Sequence, residues 1–142
     1  MGGRRQGREH ALQMLFQWDL SKASFNDVRR TFWTLNRNSE ADTRAFADHL
    51  AGGTVRHIAQ IDVLLSRHAD HWRLPRMAAV DRNVLRLATF ELLYETRTPR
   101  VVAINEALEI ARRFSTSEAI QFVNGILDSI HKEVATEGGG EP

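Results

Sequence analysis

At 142 residues with 42% hydrophobic content, the chain is the size of one domain and can bury an adequate core unaided. Cysteine is absent, which excludes disulfides and thiolate zinc sites and suits a reducing cytoplasm. The formal charge is only +1, yet residues 1–10 carry a side-chain charge of +2 against −1 for the remainder, so the basic excess sits at one end. No apolar run approaches the roughly 20 residues that span a bilayer, and the chain starts with Gly and Arg rather than a signal core, so a soluble cytoplasmic protein is expected.

Every long segment has helical spacing and no window alternates like a strand, so the predicted fold is all-α, a compact bundle of about seven helices. Ala11, Met14, Leu15 and Trp18 give the first helix its core stripe, with Leu12 beside it. Arg4, Arg5 and Arg8 extend that helix or precede it, and Gly7 is a site where the junction would fray. Asn26 is the predicted cap of a short helix carrying Val28, Phe32 and Leu35, and Ser39 with Asp42 makes a capping-box-like start for the next. That third helix is predicted to run from Phe46 through Leu50, Val55, Ile58 and Ile61 to Leu65, past Gly52-Gly53, a pair that permits close packing or a bend.

His71 to Pro75 reads as a connection. From about Val80 the pattern is apolar on nearly every side (Val84, Leu85, Leu87, Ala88, Phe90, Leu92, Leu93), which predicts the central, buried helix. Thr98-Pro99 stops one helix and starts another, whose stripe is Ile104, Ala107, Leu108, Ala111 and Phe114. Ser115-Thr116-Ser117-Glu118 resembles a capping box for the last helix and puts Glu118 in its first turn. That helix buries Ile120, Val123, Leu127, Ile130 and Val134, and Phe122 falls roughly 110° from the stripe's centre at about 100° per residue. Residues 1–134 are thus expected to form a single helical domain with an Arg-rich N-terminal segment, and residues 135–142 a disordered tail.

Enzyme signatures are missing. No Gly-Lys-Ser/Thr follows the glycine pair, and there is no nucleophile elbow, metalloprotease helix or dinucleotide fingerprint. His68 and His71 flank Asp70 at a spacing that can share a helix face, but a third ligand is lacking, so no metal is assigned. Glu91 and Glu95, one turn apart, fit arginine pairing or solvent better than acid–base catalysis. No catalytic residue and no cofactor is expected.

Recognition of single-stranded RNA by a helical protein needs cations for the backbone and a flat side chain for splayed bases. Arg4, Arg5 and Arg8 supply the first, and Phe122, with Gln121 beside it and Gly125 one turn on, supplies the second. The plain alternatives are a solvated basic tail and an aromatic packed in a groove between helices.

VAINEALEIARRF (residues 102–114) followed by FVNGILD (122–128) resembles the signature of the NusB family of bacterial transcription antitermination factors. DRNVLRLATFEL (81–92) is similar to the family's preceding helix, and the arginine-bearing start that runs into an apolar helix up to Phe16 is similar to its N-terminus. The resemblance spans nearly the whole chain, although residues 25–72 match only in helical character and spacing. It implies two packed helical subdomains and binding of boxA-type RNA through Arg4, Arg5, Arg8, Glu118, Gln121 and Phe122. It also implies binding of NusE, a small-subunit ribosomal protein, through Phe16 and Asp81, with RNA polymerase engaged indirectly and a homodimer possible. Gln6 and Gly7 interrupt an arginine run that is often denser in relatives, and Phe16 replaces a common tyrosine. Rival readings are a stand-alone relative of the NusB-like domain of certain RNA methyltransferases, and a helical interaction module indifferent to RNA.

Overall fold

The computed structural model describes residues 2–69 and 74–137. Among them there are seven α-helices and one 3-10 turn: α1 (Gly2–Ser21), α2 (Phe25–Leu35), α3 (Ala41–Arg56), α4 (Ile58–His68), the 3-10 turn (Leu74–Arg76), α5 (Ala79–Tyr94), α6 (Arg100–Phe114) and α7 (Ser117–Glu137). Asp70, His71, Trp72 and Arg73 and most of the expected tail, residues 138–142, lie outside the described residues. The last helix continues through Ala135–Glu137, three residues past the anticipated domain boundary.

α1, α2 and α3 pack on one another, α4 to α7 form a second group, and α5 lies between them, touching α1, α3, α4, α6 and α7. The sequence of α5 explains this placement, since every residue from Asn83 to Leu92 is buried. Met14, Leu15, Leu50, Leu127 and Ile130 are among the fully buried side chains on the other helices. Each contributes about 1.5–3 kcal/mol through apolar burial.

Close packing explains two glycines. A Cβ on Gly53 would lie 2.2 Å from the ring of the buried Phe90, so α3 and α5 meet where only hydrogen fits. At Gly7 a Cβ would lie 2.8 Å from the Phe46 ring, and α1 runs through this residue without a break. The expected fraying at Gly7 is therefore corrected: the glycine admits α3 against the leader.

Local signals were misjudged at four points. Asn26 does not cap α2; Ser24 does, its hydroxyl accepting from the Asp27 N–H at 3.2 Å. Leu35 turns outward, and α2 instead buries Trp33, whose indole N–H donates to Asp48 at 2.7 Å. Glu40, not Ser39, precedes α3. Finally, the long third helix is two: α3 ends at Arg56, and α4 begins after His57, where φ −108 and ψ 19 interrupt the helical path.

A buried ionic hub closes the lower end of α1. Asp19 accepts from Arg82 Nη2 at 2.7 Å and Asn83 Nδ2 at 3.0 Å, and Arg86 reaches both Asp19 and Asp62. Burial works against ionisation of Asp19, but the hydrogen bonds from Arg82 and Asn83 and the charge of Arg86 outweigh it and hold the carboxyl below its ordinary range. His68, considered above as a ligand, instead bridges Ser129 (2.6 Å) and Glu133 (2.7 Å) and ties α4 to α7.

Candidate nucleic-acid interface

The leader arginines sit on the first two turns of α1, and the carboxylates of α5 and α6 decide what each can do. Arg8 is only 4% exposed and donates through Nε and Nη2 to the two oxygens of buried Glu91 at 2.8 and 2.9 Å. Its expected place as an open phosphate ligand is revised: it neutralises an internal carboxylate, and a charge buried without that partner would be costly. Arg5, half exposed, donates to both oxygens of Glu106 at 3.0 and 2.8 Å. That hydrogen bond, with the attraction of the guanidinium, holds the Glu106 carboxyl below its usual range against a smaller effect of burial. Arg4 lies over the Phe46 ring, 4.1 Å from its centroid, and pairs with no carboxylate among the described residues.

These side chains line an open cleft of about 600 Å³, closed on its far side by Glu95, Arg97 and the Thr98-Pro99 turn. With Arg8 matched by Glu91 behind it, Arg4, Arg5 and Arg97 against Glu95 and Glu106 still leave the lining with net positive charge. α6 starts in this wall: its first internal hydrogen bond is from Ala103 to the Pro99 carbonyl, and no side chain caps it. Open N–H groups and the positive end of the helix dipole there favour an anion.

The start of α7 is a separate surface. Thr116 caps it, its hydroxyl accepting from the Ala119 N–H at 3.1 Å. Glu118 and Gln121 are exposed, and Phe122 is half-buried against the core edge. A Cβ on Gly125 would meet nothing within 4 Å, so open space lies one turn beyond Phe122. Glu118, Gln121 and Phe122 do not line the arginine cleft. An ion pair at 2.9 Å between Glu9 and Arg113, at the end of α6, links the leader to the helix that precedes them.

Phe16, 36% exposed, lies farther along α1 on the edge of an apolar cleft of about 470 Å³ with Leu12, Phe32, Leu35, Val80 and Phe114. Asp81 adjoins this cleft through Val80 and accepts a hydrogen bond from the Ser115 hydroxyl. Phe16 and Val80, the residue before Asp81, thus line the same cleft, while Asp81 itself does not.

Sequence reasoning missed Arg97, Glu106 and His49. Glu91 was read as an arginine partner without its arginine being named, because the two are 83 residues apart and no local pattern links them.

An all-helical domain with a cation-lined cleft at one end and an apolar cleft farther along the same helix is the class that fold and surface define. The model of the NusB family matches residues 5–132, and the chain belongs to the NusB family. It is 50% identical over 136 residues to the transcription antitermination protein NusB of Koribacter versatilis (strain Ellin345), covering 96% of this chain and 93% of that one. It is 44% identical to the NusB of Myxococcus xanthus (strain DK1622), over 92% and 95% of the two chains. Among solved structures it is similar to T. maritima NusB, with TM-score 0.85, 37% identity and coverage of 98% and 93%. It is also similar to a chain of the complex of antitermination factors NusB and NusE with double-stranded RNA, with TM-score 0.86, 26% identity and coverage of 94% and 98%.

Proposed function

We propose that the protein is a non-enzymatic, cytoplasmic RNA-binding transcription antitermination factor that joins NusE on boxA RNA of nascent transcripts, ribosomal RNA above all, and helps RNA polymerase resist termination. The cation-lined cleft at the head of α1 carries this reading, together with membership of the NusB family. Arg4 and Arg5 meet phosphates there, while Gln121 and Phe122 offer a polar edge and a ring to unpaired bases, with Glu118 beside them. Phe16 and Asp81, with the apolar cleft next to them, receive NusE. Arg8 supports the RNA surface from beneath by fixing α1 on α5.

The mechanism is assembly. A protein and an RNA contact, each weak alone, reinforce one another through effective concentration once both are engaged, and no covalent bond changes. Titrating a boxA RNA and a scrambled RNA into the protein, with and without NusE and at several salt concentrations, tests it. Tighter binding of boxA that NusE strengthens is expected; equal affinity for both RNAs under all conditions overturns the reading.

A further inference from the structure

We infer that Arg97, on the turn between α5 and α6, is a phosphate-binding residue of the RNA site and adds charge to a cleft where two of the leader's three arginines are already paired with glutamates. The inference rests on the RNA-binding reading above. Of the three leader arginines, Arg8 is neutralised by Glu91 and Arg5 is held on both sides of its fork by Glu106. Of the cleft's other cations, Arg4 has no carboxylate partner among the described residues and Arg97 has only a long contact with Glu95.

Arg97 is built for this. Its side chain is 83% exposed, and its nearest carboxylate, Glu95, stands 3.6 Å from Nε, well beyond the roughly 2.7–2.9 Å of a charge-assisted bond. Glu95 is occupied elsewhere: His49 Nε2 lies 2.9 Å from one oxygen, and the other is 3.5 Å from the backbone N–H of Arg97. Burial disfavours the charged form of Glu95, but that backbone contact, His49 and, least, the charge of Arg97 prevail and keep its carboxyl below the ordinary range. The glutamate thus makes only long contacts with the backbone N–H and Nε of Arg97, and the largely exposed guanidinium keeps most of its donors for solvent.

The surroundings also set this cleft apart from its neighbour. Arg4 and Arg97 border a second groove, of about 650 Å³, whose other wall carries Glu40 and Asp42. Its two arginines are matched by two acids, whereas the first cleft keeps an excess of positive charge. A phosphate chain is therefore attracted more strongly to the first cleft, where Arg97 faces Arg4 and Arg5, than to the second.

The test measures affinity of the full chain for a boxA RNA and a scrambled RNA of equal length, in the presence of NusE, across a salt series. Arg97→Ala should weaken both RNAs by about three- to ten-fold at moderate salt and flatten the log–log salt slope by about 0.7, the value of one single-strand phosphate contact. The boxA preference should persist, because a backbone contact carries no base information. Arg97→Lys should restore the slope, and Arg30→Ala, an equal charge loss on α2 outside both clefts, should change neither quantity. The melting temperature should stay unchanged in all three. If Arg97→Ala keeps wild-type affinity and slope while Arg5→Ala loses both, the RNA reading stands and the role of Arg97 is overturned. If the unaltered protein binds neither RNA, both fall together.

Discussion

The two ends of α1 present surfaces of opposite character. At its head, arginines and glutamates line a polar cleft in which most charges already have a partner; farther along, Phe16 and Leu35 edge an apolar one, and Leu35 is 78% exposed. Attraction at the first is long-ranged and weakens with salt, whereas burial at the second is short-ranged and nearly salt-independent. One helix thereby joins a steering surface to a sticking surface, and a ternary assembly can use both at once.

The largest expected effect separates what is internal to the cationic end from what it offers to RNA. Arg8→Ala should cost about 3–5 kcal/mol of stability in chemical denaturation, because it leaves the Glu91 carboxyl buried without its partner. Replacing the pair together, Arg8→Met with Glu91→Leu, should recover most of that loss. An Arg8→Ala protein as stable as the parent would show that Arg8 belongs to the outer surface after all. At the apolar end, Leu35→Asp should leave stability within about 0.5 kcal/mol, since the side chain is largely in water, yet lower NusE affinity by roughly ten-fold, about 1.4 kcal/mol. RNA binding in the absence of NusE should not move; a parallel loss there would mean that the two ends are not independent. Arg5→Ala should leave the denaturation midpoint nearly unchanged, as loss of an exposed ion pair does, while reducing both RNA affinity and its salt slope.

The sequence made some of this legible and hid the rest for a physical reason. α5 was readable because burial on all sides leaves an apolar run, and Thr116 was placed in a capping segment because caps are local. The break at His57 was not readable, since Val55, Ile58 and Ile61 keep a helical rhythm on both sides of it. At Gly7 and Gly53 the determining contacts are Phe46 and Phe90, far along the chain, so a glycine that looks like weakness is a site of close packing. Arg5 and Arg8 are indistinguishable as letters; only the positions of Glu106 and Glu91 on other helices separate a surface charge from a buried one. For the same reason Arg97 had no signal, because a lone arginine in a turn gains meaning only when the fold sets it beside Arg4.

The smallest expected effect sharpens the picture of the cationic end through pH. Glu106 titrates below the ordinary glutamate value of 4.5 in the folded protein, chiefly because Arg5 hydrogen-bonds its ionised form. Below that ordinary value the unfolded chain takes up a proton at this position before the folded one does, so stability falls with falling pH. The contribution of Glu106 is complete above about pH 4.5 and disappears as pH drops through its lowered folded value, with a total below about 1 kcal/mol for so accessible a pair. Denaturation midpoints measured from pH 7 to pH 3 should therefore decline less steeply for Glu106→Gln than for the parent, with the two curves converging at the acid end. Arg5→Ala should give the same shallower decline, because it removes the group that lowers the pKa. Parallel parent and Glu106→Gln curves throughout would mean that Arg5 and Glu106 do not hold each other in solution, leaving Arg5 as open to phosphate as Arg97.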